Sequence, residues 1–511
     1  MSTKYRRLLS TLAVATTLAF SVGEAMAAGG TLKIAYDSQP NSLDVQVSTT
    51  LFTREVGRTI FETLVTLNGD YQPVPYLAEK IDASADRKTY TFHLRKGVKF
   101  HNGKEMTSED VVASMNRWME VNHHGRRSFK GSTFEAADKY TVVLKMPQAS
   151  VDSMHVLASW NSSGIMPKEV IDSADKKGVK EYIGTGPFKF VEWKQDQYIH
   201  IAKNPDYQAL STPASGFAGK KEPLVDDIYF YIVSDTATRG AGLQSGQYDI
   251  AMRLSTDDYD RYANDPGTGI AKSYLGFLMM NYNKKQGLFA DVKMRQAVNA
   301  GIDPSKILLG AYASPEFYAL NSSYNLKEQA DWYTEAGKEY YNQNDPEKAK
   351  AMLKDAGYNG EEVTLLTIRM PSLYNAAIII KDQLENLGMK AKVDAYDFAT
   401  YAKKRLDAEN WSVTIQPFSL NPIPTQYIFL DPKIWGWTDD PELLGMIKTM
   451  QESSADEAKK LWPAAQKRSW EYLPISKIGD TYGYSAYNKK KVHGFTTFDQ
   501  AILWNVSVTG K

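Results

Sequence analysis

The chain contains no cysteine among its 511 residues. Disulfide bonds, thiol nucleophiles and metal sites held by thiolates are therefore excluded. The segment after Ala27 also lacks the cysteine that would carry a lipid anchor. We therefore expect neither thiol chemistry nor lipid attachment.

Long apolar runs are scarce as well, and the sequence has a single one, from Leu8 to Val22. Lys4, Arg6 and Arg7 precede this run, and Ala25-Met26-Ala27 follows it. Cations, a short apolar run and then small residues are typical of a secretory signal peptide. A membrane-spanning helix needs about 20 apolar residues, which is more than this run offers. We predict cleavage after Ala27 and, since nothing would anchor the product, retention in a Gram-negative periplasm.

An excess of charge of one sign is also missing, because 60 lysines and arginines balance 60 aspartates and glutamates. The predicted leader carries Lys4, Arg6 and Arg7 against Glu24, so the rest of the chain has a net charge of about −2. This mild balance argues against nucleic acid as a partner. At about 100–200 residues per domain, the length predicts two or three domains.

No catalytic constellation is recognisable. Among the seven histidines, His123 and His124 are adjacent and so point in different directions on a helix, and no further ligand stands at metal spacing. No G-x-S-x-G elbow occurs, and acidic pairs such as Asp226-Asp227 are mere sequence neighbours. We predict no enzyme activity, no catalytic residues, no resident metal and no cofactor. A chelated metal as cargo and an exported hydrolase remain open alternatives.

Periodic patterns indicate a mixed α/β fold. Thr31–Tyr36 alternates as a strand, whereas Phe52–Leu67 has apolar residues at helical spacing. Thr107 or Ser108 is suited to cap a helix whose apolar stripe is Val111, Met115 and Trp118. A strand, helix and strand between residues 363 and 393 predict a parallel sheet there.

Five sequence blocks resemble, in order, the signature blocks of the peptide/opine/nickel solute-binding proteins of ABC importers (family 5). Behind a signal peptide, this ordered series is far more specific than any one block, and it covers essentially the whole mature chain. The blocks are Tyr90–Gly103 with Thr107–Val111, Gly184–Phe190 through Asn204–Tyr207, Ser245–Ile250, Val292–Val298 with Gly301–Asp303, and Asp345–Lys350 with Asp355–Tyr358.

The resemblance implies an α/β fold with two lobes, two hinge strands and an extra domain inserted in the first lobe. The hinge strands are expected near Gly276–Asn283 and Ser476–Tyr487. The implied division is 1–27 signal peptide, 28–70 first part of lobe I, 71–182 inserted domain, 183–278 second part of lobe I, 279–480 lobe II and 481–511 C-terminal part of lobe I.

The resemblance also implies a function. Such a protein captures a small polar solute (a peptide, an opine-like conjugate or an oligosaccharide) between its lobes and delivers it to an inner-membrane permease and ATPase. Closure around the solute would shift the population towards the closed form. We expect a monomer. A presenter of solute to a chemoreceptor and a chaperone are alternatives.

Candidate solute-binding residues follow from where this family's cleft lies, and from aromatic and arginine side chains beside turns. Aromatic faces and a few polar groups suit a sugar ring or a peptide backbone, although ordinary packing explains many such residues. The two arginines suit a carboxylate, or a structural ion pair instead. The candidates are Tyr36, Arg54, Trp160, Arg369, Asn375, Trp411, Phe418, Asn421, Trp435, Trp437 and Tyr482.

One departure from the family concerns the loop Gln416–Pro424. In peptide-binding members, an aspartate in this loop grips the amino terminus of the ligand, but the loop here has no acid. A desolvated amine without a charged partner is unfavourable. The sequence therefore favours opine-like conjugates, sugars or other polar metabolites over a free peptide amino terminus.

Overall fold

The computed structural model describes residues 29–48, 50–158, 163–175 and 178–509. The predicted leader, residues 1–27, lies outside this part, and so does the candidate Trp160. Within the described ranges, no helix is long and apolar enough to cross a bilayer.

Several helices start at side chains that satisfy free N–H groups. The Asp110 carboxylate accepts the Thr107 N–H at 3.0 Å, and Asp303 and Asp345 each precede a proline at the first helical position. Helices α1 to α14 span Leu51–Ile60, Ser108–Val121, His123–Ser128, Ser153–Ala158, Lys168–Asp172, Thr236–Gln244, Tyr259–Ala263, Val292–Gly301, Pro304–Tyr312, Pro346–Asp355, Pro371–Asn386, Phe398–Lys404, Pro441–Glu452 and Ala455–Tyr472. Short 3-10 turns span Thr256–Asp258, Leu288–Ala290, Pro315–Phe317, Lys338–Tyr340, Ala408–Asn410, Pro424–Gln426 and Ile428–Leu430.

The strands alternate with these helices. Strands β1 to β21 span Thr31–Tyr36, Val65–Leu67, Pro73–Pro75, Ala78–Ala83, Thr89–Leu94, Thr133–Asp138, Thr141–Lys145, Phe188–Lys194, Tyr198–Lys203, Asp227–Ile232, Ile250–Ala251, Thr268–Tyr282, Tyr318–Ala319, Glu362–Ile368, Lys390–Tyr396, Val413–Phe418, Ile475–Asn488, Val492–His493, Thr496–Phe498, Gln500–Ile502 and Ser507–Val508.

Eleven strands form the main sheet in the order β15-β14-β16-β12-β17-β11-β1-β10-β9-β8, with β13 paired to β17. The long strands β12 and β17 lie in the middle and pair antiparallel from Thr268↔Asn488 to Asn281↔Ile475. The predicted lobe II supplies β16, β14 and β15 on one side, and the predicted lobe I supplies the strands from β11 onward on the other. The pair therefore connects the two halves, and it contains nearly all of both segments predicted as hinge strands.

Gly276 marks a kink in β12. Its φ is +115°, the register shifts between Tyr274 and Gly276, and a Cβ at this position would lie 1.9 Å from the Phe418 carbonyl oxygen. Glycine is the residue that tolerates both this conformation and this close approach.

A separate antiparallel sheet, β4-β5-β7-β6, forms within the predicted inserted domain. Helix α2 packs on this sheet. Its predicted apolar stripe of Val111, Met115 and Trp118 is fully buried, which confirms the amphipathic pattern.

The described residues form three hydrophobic cores, which follow the predicted division only in part, since the largest also includes Leu243 and Tyr262 from the predicted lobe I. Leu32 and Phe188 belong to the core of lobe I, and Trp118 belongs to that of the inserted domain. A third core surrounds the lobe II strands. Leu326 and Leu420, from lobe II, join the core of the inserted domain. The inserted domain and lobe II therefore pack directly against each other.

The predicted helix over Phe52–Leu67 is wrong in its second half. Helix α1 ends at Ile60, and Val65–Leu67 forms a strand instead. The Ile60 carbonyl accepts the Gly186 N–H at 2.9 Å, and a Cβ on Gly184 would lie 2.1 Å from the same oxygen. The glycine loop thus crosses the helix end and takes the place of a further turn.

Candidate functional site

A cavity of about 660 Å³ lies between the predicted inserted domain and the predicted lobe II, at one part of their contact. This volume lies within the range of pockets that hold small molecules. The inserted domain contributes His123, His124, Arg127, Lys130, Ser132 and Asp152 to its wall, and lobe II contributes Asn421, Thr425, Gln426, Ile428, Gln451 and Glu452.

Local structure fixes the position of these side chains. The Asn122 side chain accepts the His124 N–H at 2.9 Å and so begins the short helix α3, which carries the two histidines and Arg127. Asp152 directly precedes α4. On the opposite wall, Thr425 and Gln426 lie in the 3-10 turn that follows the acid-free loop.

The two walls touch each other around the cavity. Arg127 pairs with Asp431 at 3.2 Å, and the Val151 N–H donates to the Gln451 carbonyl at 3.1 Å. The Arg87 guanidinium donates to the Glu452 carbonyl at 2.8 Å. The Thr425 hydroxyl donates to the Asp152 carboxylate. These contacts close the inserted domain onto lobe II.

Burial perturbs two titratable groups in the wall. It is the main cause that lowers the pKa of His124 to about 4, and His123, Arg127 and Arg54 make smaller contributions to the same shift. It raises the pKa of Asp152 to about 6, against the opposing effects of the Thr425 hydrogen bond and of Arg127. The cavity wall thus contains the neutral imidazole of His124 and the Asp152 carboxyl group, whose negative charge is not fully compensated by its neighbours.

Two polar atoms in the wall have no partner. Ser132 Oγ and Gln426 Nε2 are buried, and neither makes a hydrogen bond to any described residue. Buried polar groups in folded proteins are nearly always paired. Each wall therefore carries one buried polar atom whose hydrogen-bonding capacity no described residue uses.

A second cavity of about 640 Å³ runs along the hinge strand β17. Its wall includes Glu328, Tyr333, Asp480 and Tyr482. Asp480 is already neutralised, because it pairs with Lys477 at 2.7 Å and accepts the Asn321 amide at 2.8 Å. Within this wall, the charge of Asp480 is thus already balanced by a side chain of the protein.

Aromatic side chains surround the hinge. Tyr71 and Phe498 have ring centroids 4.5 Å apart, and Tyr274 and Tyr482 are 5.6 Å apart across the paired strands. Burial raises the pKa of Tyr482 to about 12, with contributions from the nearby Asp480 and Glu328 carboxylates. These rings lie close to the hinge-side cavity.

The structure brings few of the sequence candidates into the cavity between inserted domain and lobe II. Asn421 lines it, and the charge of Arg54 reaches His124. Tyr482 lines the hinge-side cavity instead. Arg369 and Asn375 are exposed beyond the carboxyl end of β14, on the same sheet edge as Asn421.

The remaining candidates pack within the lobes. The Tyr36 ring stacks on Phe52 at 3.8 Å in the core of lobe I. Trp411 stacks on Trp437 at 5.7 Å, and Arg405 lies 3.7 Å from the Trp435 ring. Phe418 is buried against other lobe II aromatics. Trp160 lies outside the described residues.

Sequence reasoning did not select most of the side chains that line the cavity. His123 and His124 were considered only as metal ligands, a role that the sequence already disfavours, and no group of three potential metal ligands occurs in the described part of the chain. Arg127, Asp152 and Thr425 carry no local signal, because their proximity arises when two distant segments pack together.

Comparison with known proteins identifies the chain. The model of the bacterial extracellular solute-binding proteins, family 5 Middle, matches residues 72–433. The dipeptide-binding protein of Escherichia coli K12 is 30% identical over 420 residues, which cover 75% of each chain. The chain belongs to the family 5 solute-binding proteins.

Other relatives extend the match to nearly the full length. A probable peptide ABC transporter periplasmic-binding protein, y4tO of Sinorhizobium fredii, is 27% identical over 511 residues, with 94% of each chain covered. The solved structure of AgaA from A. tumefaciens R10 in complex with agropinic acid is 27% identical, has a TM-score of 0.75, and covers 94% of this chain and 99% of its own. The oligopeptide-binding protein AppA of Bacillus subtilis, in complex with a nonapeptide, has a TM-score of 0.74 at 22% identity and covers 95% of this chain and all of its own.

These matches confirm the family resemblance and the two-lobed α/β fold. The family 5 protein described here is accordingly the substrate-binding component of an ABC importer. Members of this family bind small solutes and deliver them to the permease and ATPase.

Proposed function

We propose that this solute-binding protein works as a periplasmic monomer and captures a small polar solute in the cavity between its inserted domain and lobe II. The observation that carries this proposal is the construction of the cavity. Its walls come from two distant parts of the chain, and they meet through contacts that surround a space of about 660 Å³.

Such a site couples capture to closure. A solute that touches both walls gains all its contacts only when the inserted domain and lobe II are together, so binding favours the closed form. The closed form is then the signal that the permease reads. The unpartnered Ser132 and Gln426 atoms, one on each wall, support this two-sided recognition.

The relatives narrow the chemical class of the proposed solute. One solved neighbour holds agropinic acid, and the E. coli relative is named a dipeptide-binding protein. A pocket of this size, with polar groups on both walls, suits a short peptide, an opine-like conjugate or an oligosaccharide. The leader pattern supports cleavage after Ala27 and a periplasmic location.

Binding without chemistry is the function that the cavity wall supports. The nearby acid and imidazole, Asp152 and His124, have pKa values of about 6 and about 4, yet neither side chain hydrogen-bonds to a serine, and no group of three potential metal ligands occurs in the described residues. An exported hydrolase is therefore the weaker alternative.

Thermal unfolding in the presence of solutes tests the proposal. The protein is unfolded in denaturant, dialysed and refolded to remove any co-purified solute, and then screened against dipeptides, opines, oligosaccharides and metal chelates. A captured solute raises the midpoint by mass action, by an amount that grows with solute concentration. No shift with any class, together with turnover of one solute, would overturn the proposal.

Two bulky substitutions locate the site. Gln426→Trp fills the cavity between the inserted domain and lobe II, and Glu335→Trp fills the hinge-side cavity. We expect Gln426→Trp to abolish binding and Glu335→Trp to leave it intact. The reverse result would place the solute in the hinge-side cavity.

A further inference from the structure

The loop Gln416–Pro424 offers no acid to a cationic solute, but the structure brings an acid to it from the opposite wall. Asp152 lies in the inserted domain, lines the cavity and accepts a hydrogen bond from Thr425, the residue directly after the loop. The carboxylate thus lies beside the acid-free loop without belonging to it.

Asp152 has no cationic partner of its own. No lysine, arginine or histidine forms an ion pair with it in the described part of the chain. Arg127 is the nearby cation, and its guanidinium is already paired with Asp431 at 3.2 Å. The other acid in the wall, Glu452, is exposed to solvent. Asp152 is therefore the partly buried acid of the cavity that lacks a counter-charge.

We infer that Asp152 binds the ammonium group of an amine-bearing solute, and thereby performs the task that the acid-free loop cannot. This inference rests on the proposed capture site and names the chemistry of one end of its solute. The Thr425 hydroxyl holds the carboxylate in place across the cavity. A peptide amino terminus and the amine of an amino-acid conjugate both satisfy the requirement.

The titration of Asp152 supports this reading. Burial raises its pKa to about 6, whereas a bound ammonium would favour the charged form and lower the pKa again. The groups that face Asp152 are Thr425 and Arg127, and the other titratable groups of the cavity wall are His123, His124, Lys130 and Glu452. His124 stays neutral above pH 5 because its pKa is about 4. A pH dependence of binding that Asp152→Asn retains would belong to another group in the wall.

Binding measurements with matched probes test the inference. The probes are a panel of free dipeptides, such as Ala-Ala, with their N-acetylated forms and their C-terminal amides, together with amine-bearing opines and neutral oligosaccharides. Titration calorimetry compares the wild type with Asp152→Asn, which keeps an acceptor for Thr425, and with Glu452→Gln, which removes an exposed acid from the same wall.

We expect the wild type to bind at least one amine-bearing probe and to bind its N-acetylated form about tenfold more weakly or worse, the scale of a lost charged hydrogen bond. Asp152→Asn should weaken binding of the free amine by a similar factor and leave the acetylated form unchanged. Glu452→Gln should change neither. Affinity of the wild type for the free amine should fall as the pH drops from 7 to 5, and that slope should disappear in Asp152→Asn.

Two outcomes overturn the inference about Asp152 and leave the proposed capture site in place. One is equal affinity of the wild type and Asp152→Asn for every amine-bearing probe. The other is binding of amine-free probes alone, in a manner that Gln426→Trp abolishes. Binding that survives Gln426→Trp would instead remove the capture site itself. A single cooperative thermal transition in each ligand-free variant, with a midpoint no lower than that of the wild type, checks that each one folds.

Discussion

Thr425 donates its hydroxyl to the Asp152 carboxylate from the opposite wall of the cavity, 273 positions away along the chain. This hydrogen bond joins the predicted inserted domain to the predicted lobe II beside the proposed capture site. The Asp152 side chain thus takes part both in closure of the cavity and in recognition of the solute. The titration of Asp152 then affects the stability of the ligand-free protein as well as solute binding.

Asp152→Asn should stabilise the ligand-free protein at neutral pH. The pKa of Asp152 is raised from 3.8 to about 6 in the folded state, so the folded protein holds this proton more tightly than the unfolded chain does. Stability from this group is therefore full below pH 4 and is lost as the pH rises through about 6. Asparagine does not ionise, so the variant does not lose this stability as the pH rises.

Urea unfolding across the pH range measures this effect. The difference between Asp152→Asn and the wild type should be near zero at pH 4 and constant above pH 7, with the variant more stable. A difference that does not depend on pH would contradict the raised pKa.

Arg117→Leu should be strongly destabilising. The Arg117 guanidinium donates to Asp44 at 2.6 and 3.3 Å and to Gln46 at 2.8 Å, and Asp44 is fully buried. Removal of the cation leaves a buried carboxylate without its partner, at a cost of about 3–5 kcal/mol. Urea unfolding at pH 7 measures the change.

The matched control for this ion pair is Lys350→Ala. Lys350 pairs with Glu347 at 2.9 Å on an exposed helix face, where such pairs contribute about 0–1 kcal/mol. Similar small losses in both variants would show that the Arg117–Asp44 pair does not hold the inserted domain to lobe I.

Gly276→Ala should be more destabilising than Gly97→Ala. Both residues have positive φ, +115° and +75°, so both variants suffer backbone strain of about 1–2 kcal/mol. A Cβ at Gly97 meets nothing within 4 Å, whereas one at Gly276 would lie 1.9 Å from the Phe418 oxygen. We expect the Gly276 variant to lose about 2 kcal/mol more in urea unfolding, because the hinge strand must move. Equal losses would mean that the close approach is relieved without cost.

Patterns that depend on nearby residues predicted the fold well. The stripe of Val111, Met115 and Trp118 and the alternation of Thr31–Tyr36 were both correct, since 3.6- and 2-residue periods record which face is buried. The helix over Phe52–Leu67 failed after Ile60. Its continuation is blocked by the Gly184–Gly186 loop, which comes from more than 120 residues away.

The site was harder to predict than the fold because it depends on contacts between segments that are distant in the sequence. Trp411 and Trp437 stood beside turn residues and were candidates to line the cleft, but they stack on each other within lobe II. Asp152 stood in an ordinary polar stretch, and its position beside Thr425 depends on the packing of two domains. The local sequence does not show which distant segments pack together. The absence of an acid from Gln416–Pro424 therefore did not indicate that another segment places Asp152 beside this loop.

Arg127→Ala should speed solute release modestly and in a salt-dependent manner. Arg127 and Asp431 close one side of the cavity at 3.2 Å, but both side chains are partly exposed. Such a pair contributes about 0–1 kcal/mol, which corresponds to a rise in the dissociation rate of up to about fivefold. At about 1 M salt, where the Debye length is near 3 Å, the variant and the wild type should release solute at similar rates. Stopped-flow displacement of the solute found in the thermal screen provides the rates.

Arg126→Ala is the matched control, because Arg126 lies on the same helix. Among the described residues, its guanidinium donates only to two carbonyls of its own domain, at 3.1 and 3.2 Å. Its removal should leave the dissociation rate unchanged. Asp431→Asn should raise the rate as Arg127→Ala does, and the double variant should add nothing to either one. If Arg127→Ala weakens binding far more than Asp431→Asn does, then Arg127 contacts the solute directly and does not act through closure.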